Sequence, residues 1–309
     1  MKAKKRLAAK PGARPGAFRP DNIENYEVAS DDTLLAFLIK SMPQRTRTTV
    51  KDYLEHRQVM VGGAVTSRYD FPLKSGDTVK VNTTREFQVF THPRLRIVHE
   101  DDDIIVVNKG YGLLSVGNDS KRDGTAYSIL RDYVKRVDPR QKLFIVHRLD
   151  QHTSGLMMFA KTAEAKETMQ HNWNNMVLER RYVAVVEGGA PDPSEGIVRS
   201  RLAENAEHVV YVTADAEAGR EAVTEYRTLA ARGNYALVEL QLATGRKNQI
   251  RVHMQQIGHP IAGDRKYGAA TAPIRRLALH ARTLRFVHPR TRRDMNFSTP
   301  VPASFKSLV

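Results

Sequence analysis

The feature that most restricts what this chain can fold into is the shortness of its apolar runs. The longest are pieces such as Ile104-Ile-Val-Val107, bounded by Asp103 and Asn108. They fall far below the roughly 18 apolar residues that a membrane-spanning helix needs, so no membrane partner is expected. A short apolar run closed by turn-forming residues reads as a buried strand. The stretch 97–108 has this form, and further strands are expected near 143–146, 156–160, 180–187, 197–202, 208–213, 222–229 and 235–242. Helices are expected near 125–137, 163–176 and 246–257, the last ended by Gly258 with Pro260 just beyond. Strands that cluster with helices interspersed predict an α+β fold. Its core would be a mixed, mainly antiparallel sheet flanked by helices, not a repeating βαβ unit.

Charge and cysteine usage narrow the class. The 309 residues include 49 Lys+Arg against 34 Asp+Glu, a formal net charge of +15, so a polyanionic partner is expected. There is no cysteine, which removes disulfides, Cys-based zinc sites, iron–sulfur clusters and thiol nucleophiles together. The chain shows no dinucleotide or phosphate-binding glycine motif and no His-Glu-x-x-His, and its 11 histidines are scattered. No cofactor or metal is therefore expected. The opening Met1-Lys-Ala-Lys-Lys-Arg has no apolar core behind it, which argues against a secretory signal. A soluble, cytoplasmic protein is the expectation.

Residues 1–20 carry seven Lys/Arg, no acidic residue and prolines at 11, 15 and 20. They are expected to form a basic flexible tail. Over 30–82 the pattern predicts two short helices, one with Leu34, Leu35 and Leu38 on a face and one with Val50, Tyr53 and Leu54 inward. A hairpin turning at Gly62-Gly63 and a strand after Gly76-Asp77 complete the unit. This stretch resembles the small αL-type RNA-binding domain named after a small-subunit ribosomal protein. Arg45 and Arg47 at the second helix, Val59-Met-Val-Gly-Gly63 and Gly76-Asp77-Thr-Val79 carry the likeness. The usual Arg-Leu-Asp opening is here Asp31-Asp32-Thr33-Leu34-Leu35. The resemblance implies that Arg45 and Arg47 grip an RNA backbone; a solvated helical face is the alternative. Residues 83–96 read as a linker, and a larger domain occupies 97–309.

Within the larger domain, a polar loop from His147 to Gly155 lies between two apolar strands, a setting that holds a side chain in fixed geometry at a cleft edge. Asp150 is the only carboxylate in that loop and sits near Arg148. Beside fixed positive charge a carboxylate stays ionised, which suits a nucleophile better than a general acid. A glycosidase would want a second carboxylate about 5 to 9 Å away, and the loop offers none. The residues alone leave Asp150 equally readable as a structural turn aspartate. Arg251 borders the apolar stripe of Ile250, Met254 and Ile257, beside Lys247 and Asn248. It could pair with a carboxylate, contact a phosphate or lie on the surface. Tyr182 leads an apolar strand and could be a core tyrosine.

Taken in order, these segments resemble the RluA-type family of RNA pseudouridine synthases over about 97–300. The motifs are His147-Arg148-Leu149-Asp150 with Thr153-Ser154-Gly155, then Arg181-Tyr182-Val-Ala, then Thr244-Gly245-Arg246 with Gln249-Ile250-Arg251-Val252-His253, and finally Gly258-His259-Pro260-Ile261-Ala262-Gly263-Asp264. The resemblance implies a cofactor-free isomerase acting on structured RNA. Asp150 would be the catalytic aspartate, Tyr182 the aromatic against the target base, and Arg251 the ion-pair partner of Asp150. Arg148 would fill the gap left by an extruded uridine, and His147, Thr153, Arg246, Lys247 and Asn248 would contact substrate. Two positions depart from the family pattern: Asn248 stands where His is usual, and Lys109-Gly110 replaces Lys-Pro. Large-subunit ribosomal RNA is the favoured substrate, with transfer RNA as the other candidate, and a monomer is expected. The competing readings are a non-catalytic RNA-binding ribosome-assembly factor and a hydrolase that releases free uracil.

Overall fold

The computed structural model describes residues 22–117 and 123–309, so the basic stretch 1–20 lies outside the described residues. The chain forms two compact units, one ending at Val89 and the other beginning at Phe90.

The first unit contains β1 (Ile23–Glu27), β2 (Asp32–Thr33), α1 (Leu34–Ser41), α2 (Arg47–Glu55), β3 (Val59–Val61), β4 (Ala64–Val65), β5 (Pro72–Leu73) and β6 (Thr78–Asn82). Thr46 caps α2 by accepting from the Thr49 N–H at 3.1 Å. Gly62 and Gly63 both have positive φ (55° and 85°), which a two-residue hairpin turn demands. The sheet runs β1-β6-β3-β4, with a separate β2-β5 pair. Leu34, Leu38, Val50, Leu54, Val59, Val79 and Val81 are buried together between helices and sheet. The strand β1 lies before the start expected at residue 30 and pairs with β6 along its whole length. Its sequence, Ile-Glu-Asn-Tyr-Glu, is too polar to announce a strand; it forms because β6 presents an open edge.

The second unit contains β7 (Leu95–Glu100), β8 (Ile104–Lys109), α3 (Ala126–Val137), β9 (Phe144–Ile145), β10 (Ser154–Ala160), α4 (Ala163–His171), α5 (Trp173–Met176), β11 (Val177–Glu187), β12 (Glu195–Glu204), β13 (Val210–Thr213), β14 (Arg220–Arg232), β15 (Tyr235–Leu242), α6 (Gln249–Gln256), β16 (Leu279–Val287), β17 (Asp294–Ser298) and α7 (Ala303–Lys306). Strand β7 starts at Leu95, inside the stretch read as a linker; Leu95 is buried against α3 and β8, which draws it into the sheet. The helix expected over 163–176 is divided at Asn172, which ends α4 and starts α5.

The sheet order is β13-β12-β14-β15-β11-β16-β10-β8-β7, with β17 on β16 and β9 on β10. Among the described strands every pairing is antiparallel except β10 with β16. The mixed, mainly antiparallel sheet with flanking helices is the architecture expected. Strand β10 is buried at all seven positions. Met157 and Phe159 pack with Leu130 and Val134 of α3 on one face. Leu156 and Met158 pack with Ala165 and Met169 of α4 on the other. At the parallel junction Ser154 faces His280 and Gly155 faces Ala281. A Cβ on Gly155 would stand 2.1 Å from the Ala281 carbonyl oxygen, so glycine lets the two backbones meet there. Tyr182 pairs with the same Ala281 from the β11 side. The loop entering β10 and the start of β11 are thereby brought to one place.

Candidate active site

The loop 147–153 is fixed residue by residue before it reaches β10. The Ser115 hydroxyl donates to the Leu149 carbonyl at 2.6 Å and accepts from the Leu149 N–H at 3.1 Å. On the other side of Asp150, the Gln151 carbonyl accepts from Lys109 Nζ at 3.2 Å and from the Gly112 N–H at 3.0 Å. Lys109 is fully buried and also donates to the carbonyls of Leu113 and Gly110. Burial pushes its ammonium down to about 7, with Asp150 acting in the opposite sense. The Thr153 N–H returns to the Asp150 carbonyl at 3.1 Å and closes the turn. Asp150 is thus held between two clamped neighbours while its carboxylate stays 30% exposed. Ser115 and Lys109 carry this positioning; neither is assigned by the sequence motifs, because both lie more than thirty residues away on other segments.

The carboxylate faces a cavity of about 550 Å³ whose lining includes His147, Arg148, Asp150, Thr153, Arg180, Tyr182, Arg246, Lys247, Asn248 and Arg251. Every candidate residue named for the larger domain therefore meets at one cleft. Among its described lining residues Asp150 is the only carboxylate. A wider concavity of about 690 Å³, around Phe90, His92, Arg94 and Asn108, has no carboxylate among its lining residues and is not a rival for this chemistry.

Arg251 Nη1 lies 3.8 Å from Asp150 Oδ2. Its tight partner, however, is Asp264, which takes Nε and Nη2 in a two-point contact at 2.7 Å each. Asp264 is buried and belongs to the last sequence motif, which names no role for it. Asn248 accepts from Arg251 Nη1 at 3.1 Å and donates to the Tyr267 hydroxyl at 2.9 Å. The Tyr267 ring lies under the guanidinium at 4.7 Å. Asn248 has φ 53°, a left-handed conformation that Asn tolerates better than most residues. Its place at 248 therefore rests on two hydrogen bonds and a backbone need. Gln249, also buried, ties the 244–249 turn to β14 by donating to the Val223 carbonyl and Thr224 hydroxyl, while accepting from Thr244 and the Arg246 N–H.

The remaining candidates differ in how free they are. His147 is committed to the fold: its Nε2 accepts from the Met158 N–H at 3.0 Å and its ring packs on Trp173. Burial and the nearby Arg180 push it down to about 3, so it stays neutral and cannot act as a proton carrier near pH 7. Arg246 donates to the Glu221 carbonyl, and Lys247 pairs with Glu204 at 2.5 Å. Among the described residues the Arg148 side chain makes no hydrogen bond or ion pair, and it is exposed at the cavity. Tyr182 is pushed up to about 12, chiefly by burial. In the first unit Arg45 stands 3.9 Å from Glu24, and Arg47 is exposed.

Among the described residues, one group could gather a metal: Asp101, Asp103 and His288, with donor atoms within 4.8 Å of one another. These atoms are already engaged, Asp101 by His99 and His288 and Asp103 by Arg290. None of the three lines the cavity.

Comparison with known proteins identifies the family. Residues 103–256 match the family described as RNA pseudouridylate synthase. The uncharacterized RNA pseudouridine synthase YlyB of Bacillus subtilis is 34% identical over 295 residues, 93% of this chain and 96% of that protein. Ribosomal large subunit pseudouridine synthase D of Escherichia coli (strain K12) is 31% identical over 294 residues, 88% of each chain. Among solved structures, human RNA pseudouridylate synthase domain containing 4 superposes with a TM-score of 0.56 at 27% identity, covering 68% of this chain and 90% of that one. With relatives aligned along nearly its whole length, the chain belongs to the RluA-type RNA pseudouridine synthases.

Proposed function

We propose that this enzyme converts specific uridines of large-subunit ribosomal RNA to pseudouridine, with Asp150 as the catalytic carboxylate. The observation that carries the residue assignment is that Asp150 is the one carboxylate among the described lining residues of a cavity that also holds Arg148, Arg180, Arg246, Lys247 and Arg251. Such a lining attracts an RNA backbone and places one anionic group among the cations. A paired-carboxylate glycosidase needs two such groups. The ribosomal substrate is supported by the relatives named for the large subunit, which align over 88% of this chain.

In this reading the target uridine leaves its stack, at a cost of a few kcal/mol, and enters the cavity. Arg148, exposed and unpaired, takes the vacated place in the RNA. Arg251, fixed by Asp264 and Asn248, keeps positive charge beside Asp150. The carboxylate then either attacks the anomeric carbon or removes a sugar proton to give a glycal; both routes free the base for rotation and bonding through carbon 5. Burial holds the Tyr182 phenol up at about 12. It therefore offers the base a neutral ring face and an O–H donor rather than a phenolate. The first unit, with Arg45 and Arg47 at the start of α2, would add contacts to the RNA backbone.

Carbodiimide-dependent reverse-transcription mapping of RNA from cells with and without this gene tests the proposal. Stops in large-subunit RNA that vanish with the gene are expected. Stops lost from transfer RNA alone would move the substrate; abasic sites would indicate a hydrolase. Unchanged stops in all RNA would leave only a binding protein.

A further inference from the structure

Arg180 stands two residues before Tyr182 on β11, and alternate residues of a strand share a face. Both side chains line the cavity. The guanidinium offers five N–H donors. Among the described residues these find one acceptor, the Leu242 carbonyl at 3.3 Å, and no carboxylate within ion-pairing reach. The Trp173 ring lies 5.8 Å from it. Partial burial lowers its pKa from the ordinary arginine value. Arg251, which also lines the cavity, has Asp264. Arg180 is half-buried at the cavity wall, so its remaining N–H groups are open to an acceptor that enters there.

Gly245, in the turn before α6, adds a second observation. Its φ is not in the left-handed region, so the backbone does not require glycine there. A Cβ would instead stand 2.7 Å from Arg180 Nη1, so a side chain there would make the flexible guanidinium shift from its place.

We propose that Arg180 donates hydrogen bonds to the carbonyl oxygen at carbon 4 of the extruded uracil, selecting uracil over cytosine and stabilising the base as it leaves the sugar. The inference rests on the placement of Asp150 and Tyr182 given above. With the base against Tyr182 and its sugar at Asp150, the edge opposite N1 carries that carbonyl and turns toward Arg180. When the N1–C1′ bond breaks, the electron pair stays with the base, and its charge spreads over N1 and both carbonyl oxygens. C1′ is taken by the Asp150 carboxylate or relieved by loss of the 2′ proton. Arg180 transfers no proton. Carbon 5 later bonds to C1′ as the Asp150–C1′ ester bond breaks or, on the glycal route, as the 2′ proton returns from the carboxylate; the proton lost from carbon 5 is matched by one gained at N1, so the product is an isomer. Cytosine presents an amino donor at carbon 4, which would face the guanidinium donor to donor.

The test is single-turnover conversion at saturating enzyme, using the full chain and a transcript of the mapped target, with RNA affinity measured alongside. Arg180→Met should lower the rate constant by about 100-fold or more, with affinity falling by no more than about threefold and the salt slope changing by well under one. Arg180→Lys should recover part of the loss. Gly245→Ala, which keeps the arginine but crowds it, should lose rate in the same direction and guards against misfolding of the first variant. With 5-fluorouridine in the target, read as loss of the original N-glycoside because carbon 5 then has no proton to lose, the electron-withdrawing fluorine makes the base a better leaving group, so the Arg180→Met penalty should shrink by about tenfold or more. An unchanged rate constant with weaker binding and a salt slope shallower by about one would assign Arg180 to a phosphate and overturn the proposal. An equal penalty on both substrates would also overturn it. If the unmodified enzyme makes no pseudouridine, the preceding functional reading fails instead.

Discussion

Arg251 lies between two carboxylates and divides itself unequally between them. Asp264 holds two of its nitrogens at 2.7 Å, whereas Asp150 is met at 3.8 Å. Asp264 therefore fixes the cation, and Asp150 is left the looser contact. Truncating Asp264→Ala leaves a partly buried guanidinium without its partner and should cost about 3–5 kcal/mol in urea unfolding. Asp150→Asn should cost less than about 1 kcal/mol by the same measurement, because its charge contact is looser and more exposed. At position 248, Asn248→Ala should be less stable than Asn248→Gly by about 1 kcal/mol, since only glycine relieves the positive φ while both lose the contacts to Arg251 and Tyr267. That Asp150, Tyr182 and Arg251 meet at one cleft was legible in the sequence because they sit in ordered motifs. Asp264 was visible as a motif residue but not as a partner: thirteen residues and a turn separate it from Arg251, and only the folded turn brings it under the guanidinium.

At the scale of elements, the site depends on the parallel meeting of β10 and β16. Gly155→Ala places a methyl against the Ala281 backbone at a φ of 119°. It should destabilise the protein by about 2–5 kcal/mol in denaturant unfolding, and activity should fall with the loss of loop geometry. Strand β10 was readable because an apolar stretch of that length has few alternatives. Strand β16, its parallel partner at the heart of the sheet, was not: His280, Arg282 and Arg285 interrupt its apolar positions. Those side chains find their partners in tertiary contacts, Ser154 and Thr299 for His280, Glu239 for Arg282 and Asp294 for Arg285. The break at Asn172 was hidden for a related reason. The segment 163–176 suits one helix locally, and the turn into α5 is set by where Trp173 and Met176 must pack.

For the whole molecule, three histidines with depressed folded values set an acid limit. Burial pushes His147 down to about 3 and His253 and His280 down to about 4. In the unfolded chain they titrate near 6.5. Their folded values are depressed, so the unfolded state binds more protons between those values. The stability they contribute is complete above about pH 6.5 and is lost as the pH falls toward 4. Urea midpoints should decline through that window, and His253→Gln should flatten the decline. The net charge of +15 implied an anionic partner but not a task. The fold concentrates part of that excess around a single carboxylate, and this arrangement is what gives it chemical meaning. The most direct measurement is pseudouridine formation by purified wild-type and Asp150→Asn protein on the same ribosomal RNA, with binding followed in parallel. The account predicts product from the wild type, none from the variant, and affinities that agree within about threefold. A variant that binds and converts the RNA at a rate near wild type would contradict it.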